Sequence, residues 1–386
     1  MSADLRRRAL LAVAAAAPFA GLPTIAHAVA SGWRRPLLVL VELRGGNDAL
    51  NTVVPYADPL YARLRPRLAI DRDQVIKLTP ETGLHPALGK LLPIWEGQRL
   101  AIVQGLGYPD PNLSHFRSIE IWDTASKSDE YLDAGWLSRA FVAAPSPPGY
   151  AADGVIVGAG GMGPLAGRGA RAIALADPDQ FLRNARLARG EGQARNPALA
   201  HILRVERDVL ASAQKLRGQR SIATAFPQGP FGNAVATAAQ LAANEAGISV
   251  VRLSLDGFDT HAYQPGRHGA LLRQLGDGLA SLRAALIEIG RWDSTVIATY
   301  SEFGRRPREN HTGGTDHGTA GTHLVLGGAV RGGLYGARPA LGRLDGEGNL
   351  SHGIDFRRYY ATFLERLWRA DSVAVLGGRF TPLDFI

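Results

Sequence analysis

The sequence predicts an α/β fold built on a mostly parallel sheet. Three observations carry that expectation. Helical and strand periods alternate through the last third of the chain, in the order that parallel sheets with right-handed crossovers require. The strands are short, nearly continuous apolar runs, as expected of strands buried on both faces. Polar residues able to do chemistry collect just after those runs, and open α/β sheets form their ligand crevice at the carboxyl ends of the strands.

The first strand is Leu37 to Glu42 (LLVLVE), ending in the glycine turn Arg44-Gly45-Gly46-Asn47-Asp48. Leu100 to Gln104 is a second strand, whose loop runs to Ser114. Ser114 precedes a 3.6-period stretch through Trp122 and is placed to cap it, since a serine there satisfies free backbone N–H groups. Val155 to Val157 and Ala172 to Leu175 are weaker strands, and residues 178 to 216 are helical in character, within a helical insertion spanning about 178–226. An alanine-rich helix, Asn233 to Ala246, feeds the strand Ile248 to Leu255. A long helix from about Gly269 to Ile289 carries Leu271, Leu275, Leu279, Leu282, Leu286 and Ile289 on one face. Thr295 to Tyr300 and His323 to Leu326 are strands, and an amphipathic helix, Phe356 to Arg369, closes the fold. With no internal repeat and no flexible linker, residues 31–386 read as one domain.

Composition narrows the chemistry. The 386 residues are 46% apolar and 20% charged, enough to bury a core and unlike a disordered chain. There is no cysteine, which excludes a disulfide scaffold, a thiolate zinc site, an iron–sulfur cluster and a cysteine nucleophile. The net charge of +8 comes mostly from arginines scattered along the chain. Without a basic run interleaved with aromatics, nucleic acid is not an expected partner. The first thirty residues read as an export signal. Arg7-Arg8 is a twin-arginine pattern, an alanine-rich run extends from Ala9 to Ala20, and Ala26-His27-Ala28 is a small-x-small cleavage site. The apolar run is too short to span a bilayer, so no stable membrane span is expected. The expectation is export of a folded protein by the twin-arginine translocase to a periplasmic or secreted location.

The strand-end residues are Asp48, Asp259 and His261, Glu302 and Arg305, and Asp316-His317 in the loop beyond. Carboxylates and imidazoles without thiolates suit zinc, manganese or magnesium. Each residue also has a structural reading. Asp48 closes an Asx turn, Asp259 caps its loop, His261 is a polar residue near a helix start, and Ser114 is an N-cap. Together, at the ends of adjacent strands, they favour a site. A nucleophile at a helix N-terminus is chemically apt, because free N–H groups stabilise an anion there. Arg305 is the cation expected to clamp an anionic substrate.

Arg44-Gly45-Gly46-Asn47-Asp48, Ser114-His115-Phe116, Gly257-Phe258-Asp259-Thr260-His261, Ser301-Glu302-Phe303-Gly304-Arg305-Arg306-Pro307 and Gly314-Thr315-Asp316-His317-Gly318 occur in that order, followed by Asp355-Phe356-Arg357. This ordered set resembles the bacterial exported family called domain of unknown function 1501, which is similar to the alkaline phosphatase and sulfatase superfamily. The resemblance implies a three-layer α/β/α sandwich and a divalent-metal site of one or two ions. It implies that Asp48, Ser114 and Glu302 frame one metal, that Asp259, His261 and His317 surround the other, and that Ser114 is the nucleophile. The implied activity is hydrolysis of a phosphate or sulfate ester, using a hydroxyl nucleophile or a metal-bound water, on an anionic small-molecule or envelope substrate. A non-catalytic envelope protein and a metal-dependent sugar-phosphate mutase are the alternatives. The chain departs from the alkaline phosphatases at Glu302-Phe303, where they carry an Asp-His pair, and in the short interval from Asp259 to His261. Around Ser114 the Pro and Arg of the formylglycine sulfatase frame are absent from their places.

Overall fold

The computed structural model describes residues 34–158, 160–175 and 220–386. The export signal and most of the helical insertion expected near 178–226 lie outside the described residues.

The strand-forming runs pair into one sheet of nine strands among the described residues. In chain order they are β1 (Leu37–Arg44), β2 (Leu100–Gly107), β3 (Ala152–Val157), β4 (Ala172–Leu175), β5 (Ile248–Asp256), β6 (Thr295–Tyr300), β7 (Gly321–Gly327), β8 (Gly333–Tyr335) and β9 (Ile354–Asp355). Their spatial order is β8-β2-β7-β6-β1-β5-β3-β4, with β9 also against β2. All pairings are parallel except those of β7, which runs antiparallel to both β2 and β6.

Side chains alternate across β1 as a strand requires, and each set meets a different layer. Leu37, Val39, Val41 and Leu43 share a core with Val235, Leu275 and Leu279, from helices Pro230–Ala243 and Gln264–Glu288. Leu38 and Leu40 share the opposite core with Trp122, Trp136 and Tyr360. Those aromatics come from helices α1 (His115–Thr124), α2 (Trp136–Ala143) and, beyond Pro230–Ala243 (α3) and Gln264–Glu288 (α4), α5 (Phe356–Thr362). The result is an α/β/α sandwich. Each fully buried leucine on β1 contributes about 1.5–3 kcal/mol by leaving water.

Several boundaries differ from the sequence expectation, among them α3, which spans Pro230–Ala243 rather than Asn233 to Ala246. Helix α4 starts at Gln264 rather than Gly269. Pro265 lies in its first turn, where a missing N–H costs nothing, and the Gln264 N–H is taken by the Gly313 carbonyl. The last helix leaves α geometry at Phe363 and continues as a π turn to Leu367, short of Arg369.

Strands β5, β1 and β6 are neighbours and parallel, so their carboxyl ends open on one edge. Glycine shapes the turn after β1. Gly45 has φ of +113°, and a Cβ there would stand 2.3 Å from the Asp259 nitrogen. Gly46 has φ of +76°, with the Phe303 ring filling the space beside it. Only glycine satisfies both the dihedral and the close approach. Beyond the turn, Asp48 is wholly buried and caps the short helix Ala49–Thr52, accepting from the Leu50 nitrogen at 3.1 Å. Its other oxygen accepts from Gln264 Nε2 and from Arg65 Nη1, the latter at 2.6 Å. Arg65 is equally buried and also donates to the carbonyls of Arg306 and Pro307, tying the first turn to the loop after β6.

Burial pushes the Asp48 carboxyl up, but the charge and hydrogen bond of Arg65 outweigh it and hold the group below the usual carboxylate range. Its stabilising contribution is therefore present above the unfolded-state pKa and is lost as the pH falls through the folded-state value. Arg65→Met leaves that charge buried and unpaired, which costs about 3–5 kcal/mol at neutral pH. In the variant the lone carboxyl takes up a proton readily, so the stability gap to wild type narrows as the pH is lowered from neutral. Urea unfolding across that range measures the gap, and a gap that stays constant contradicts the assignment.

Candidate metal centre

The site is assembled from the loops after β2, β5 and β6. Helix α1 begins at His115, at the end of the β2 loop. Ser114 holds the N-cap position with extended dihedrals, and its carbonyl accepts from the Ser118 nitrogen at 2.9 Å. Its hydroxyl makes no capping hydrogen bond, contrary to the expectation, and the residue is exposed. Asn112 takes up the local turn instead, accepting from the Ser114 nitrogen at 2.9 Å.

Three imidazoles converge on Asp259. Its Oδ1 lies 3.1 Å from His261 Nε2, 3.4 Å from His317 Nε2 and 3.6 Å from His115 Nε2. The Nε2 atoms of His261 and His317 are 3.0 Å apart. Each ring presents its other nitrogen to an acceptor. His317 Nδ1 lies 2.8 Å from the Leu113 carbonyl, His115 Nδ1 lies 2.9 Å from Glu302 Oε1, and His261 Nδ1 lies 3.3 Å from Asp316 Oδ1. A carbonyl or carboxylate only accepts, so each Nδ1 carries a proton, and in the neutral ring each Nε2 turns a lone pair inward. The carboxylate at the centre is also an acceptor. A proton on one ring or a metal ion among them relieves this crowding.

The spacing suits a metal ion. With zinc–ligand bonds of about 2.0–2.1 Å, the edges of a tetrahedron are about 3.3 Å, and the four contacts above run from 3.0 to 3.6 Å. One donor each from His115, Asp259 and His317 lie within 4.8 Å of one another. Acceptors behind ligand histidines are the usual means of fixing ring orientation and basicity. The hydrogen bond to Glu302 raises the His115 pKa, burial lowers that of His317, and the hydrogen bond from Asn310 lowers that of Asp316. Burial pushes the Asp259 carboxyl up, but Arg305 overcomes this and holds it below its ordinary range.

The structure thus brings Asp259, His261 and His317 together, with Asp316 behind His261. Glu302 stands behind His115: Oε1 accepts from it and from the Gly45 nitrogen at 2.9 Å, and Oε2 accepts from the Ser301 hydroxyl at 3.1 Å. Burial raises its pKa, but the hydrogen bonds from His115 and from backbone nitrogens, Gly45 among them, bring it below the ordinary value. Asp48 lies elsewhere, committed to Arg65 and Gln264, so the expected ion framed by Asp48, Ser114 and Glu302 finds its carboxylates already engaged. Arg305 also differs from its expected role as a substrate clamp. Its side chain is wholly buried, and it donates to the carbonyls of Gly45, Gly46, Phe258 and Thr315 and to Asp259. So enclosed, the guanidinium is not open to a substrate oxygen.

His115 is the residue that sequence reasoning missed. Its signal was its place in a strand-end loop, directly after the serine that drew attention as cap and nucleophile. The Phe303 ring packs beneath the group, 4.9 Å from the His115 ring and 4.6 Å from that of His317.

Comparison with curated proteins returns no match. Among solved structures, the chain is similar to a protein of the alkaline phosphatase superfamily from Vibrio parahaemolyticus. The two are 10% identical with a TM-score of 0.43, over 91% of this chain and 71% of that one. It is also similar to the phosphonate monoester hydrolase SpPMH from Silicibacter pomeroyi, at 11% identity and a TM-score of 0.43, over 90% of this chain and 76% of that one. Residues 102–377 match the family described as a protein of unknown function, DUF1501, and the chain belongs to that family.

Proposed function

We propose that this chain is an exported metal-dependent hydrolase of phosphate or sulfate esters. The observation that carries the proposal is the convergence of three Nε2 lone pairs on the Asp259 carboxylate, each ring fixed through its Nδ1. His115, His317 and Asp259 would hold the ion, with His261 at its edge. A divalent ion there supplies positive charge to the non-bridging oxygens of an ester as negative charge develops on them. With Asp48 engaged by Arg65, the donor set favours one ion over two.

Ser114 supports the reading through its neighbours. Leu113 on one side accepts from His317 and His115 on the other is a ligand candidate, so the Ser114 backbone lies beside the centre. Its hydroxyl is free of capping duty and exposed, at the N-terminus of a ten-residue helix. It is the nucleophile of this proposal. The serine oxygen attacks phosphorus or sulfur, the serine proton passes to the departing alcohol, and water then releases the phosphoryl or sulfuryl group from the serine as phosphate or sulfate.

The test is turnover of aryl phosphate, phosphodiester and sulfate esters by the protein supplied with zinc or manganese. Wild type is expected to be active, and Ser114→Ala to lose activity while keeping its metal. Full activity in Ser114→Ala contradicts the nucleophile, and a wild type inert on every ester supports a non-catalytic envelope protein. Export rests on Arg7-Arg8 and Ala26-His27-Ala28. Changing both arginines to lysine is expected to leave uncleaved precursor in the cytoplasm, and normal processing of that variant contradicts the twin-arginine route.

A further inference from the structure

A cleft of about 260 Å³ leads away from the metal centre, sharing His115 and Glu302 with it and running along α1 past Ile119 to Asp123. His115, Ile119 and Asp123 recur at four-residue intervals, so they lie along one side of the helix. About 12 Å of helix rise separates the first from the last. Phe116, 90% exposed, stands at the rim and with Ile119 gives the middle of the cleft an apolar surface.

The charges lining the cleft are matched, with one exception. Arg252 pairs with Glu42 and donates to the Tyr300 hydroxyl and the Gly161 carbonyl, both at 2.8 Å. Arg44 pairs with Asp256 at 3.1 Å and approaches Glu42 at 3.7 Å. Glu302 is held by His115, Gly45 and Ser301. Asp123 makes no ion pair among the described residues. Among the same residues its side chain accepts one hydrogen bond, a 3.5 Å contact from the Tyr300 hydroxyl. Burial pushes its carboxyl up to about 8, and the charge of Arg252, already paired with Glu42, offsets this only in part.

We infer that the cleft receives the alcohol part of a zwitterionic ester, an amino alcohol whose ammonium pairs with Asp123 while its ester group sits at the metal centre. The inference rests on the ester-hydrolase reading and names its substrate class. The spacer between the two charges lies over Phe116 and Ile119. In the reaction the bond between the ester oxygen and phosphorus or sulfur breaks. The alcohol leaves with a proton, water contributes the oxygen that replaces it, and the ammonium is unchanged. Asp123 thus acts on specificity and touches no reacting atom.

The experiment compares kcat/KM for 6-aminohexyl phosphate and hexyl phosphate, a pair long enough to reach along the cleft and differing in the ammonium. The metal-loaded wild type is expected to prefer the amino ester by about tenfold, the range of a partly desolvated charge pair. In Asp123→Asn the ratio falls to near one, and in Asp123→Glu the preference persists in part. A ratio near one in wild type, or an undiminished ratio in Asp123→Asn, overturns the inference and leaves the hydrolase reading intact. If wild type hydrolyses neither ester, that reading fails for these esters, and calorimetry with 6-amino-1-hexanol and 1-hexanol decides the cleft alone. Preferential binding of the amino alcohol that Asp123→Asn abolishes upholds the ammonium site. Equal binding of the two alcohols, or none, overturns it.

Discussion

The guanidinium of Arg305 is the contact on which the site depends. It lies wholly buried where three loops meet, donating to Gly45 and Gly46 after β1, to Phe258 and Asp259 after β5, and to Thr315 in the loop that carries Asp316 and His317. A planar fork with five N–H donors can satisfy carbonyls arriving from several directions, whereas a lysine has three donors on one point charge. Loops are ordinarily the mobile part of an α/β fold. Here a single side chain ties together the backbone of the loops that position the candidate metal centre, and Gly45 and Gly46 permit the close approach it needs.

Around that anchor the electrostatics are arranged in shells. Asp259 takes one hydrogen bond from Arg305 and still faces three imidazoles. Behind the imidazoles stand acceptors of different kinds: a backbone carbonyl, a buried carboxylate and an exposed one. They impose the same tautomer on all three rings, and so aim unprotonated nitrogens at one point. The fold also places this group at the mouth of a cleft whose far end holds a carboxylate without an ion-pair partner among the described residues. Asp48 is outside this arrangement, and its partnership with Arg65 organises the β1 turn instead.

Much of this was legible in the sequence. The apolar runs of β1, β5 and β6 marked buried strands, and the leucine stripe from Leu271 to Leu286 marked α4. The loops holding Asp259, His261, Glu302 and His317 followed from where those strands end. The antiparallel direction of β7 was not legible, because a buried strand has the same pattern whichever way it runs. The role of Arg305 was hidden for a related reason. Its partners are mostly carbonyls, which every residue has, so no side-chain motif announces them. Asp48 resembled a ligand because its buried partner Arg65 looks in the sequence like any surface arginine. Ser114 looked like a cap, yet its hydroxyl makes no capping bond, and the informative residue of that motif was the adjacent His115.

The central claim is that one divalent ion is held by Asp259 and imidazole nitrogens that include His115, without Asp48. Equilibrium dialysis of the folded protein against zinc, read as bound metal per chain, tests it most directly with wild type, His115→Ala and Asp48→Asn side by side. The account predicts one tightly held ion in wild type, a greatly weakened site in His115→Ala, and wild-type stoichiometry in folded Asp48→Asn. Two tightly held ions in wild type, or full zinc binding in His115→Ala, would contradict it.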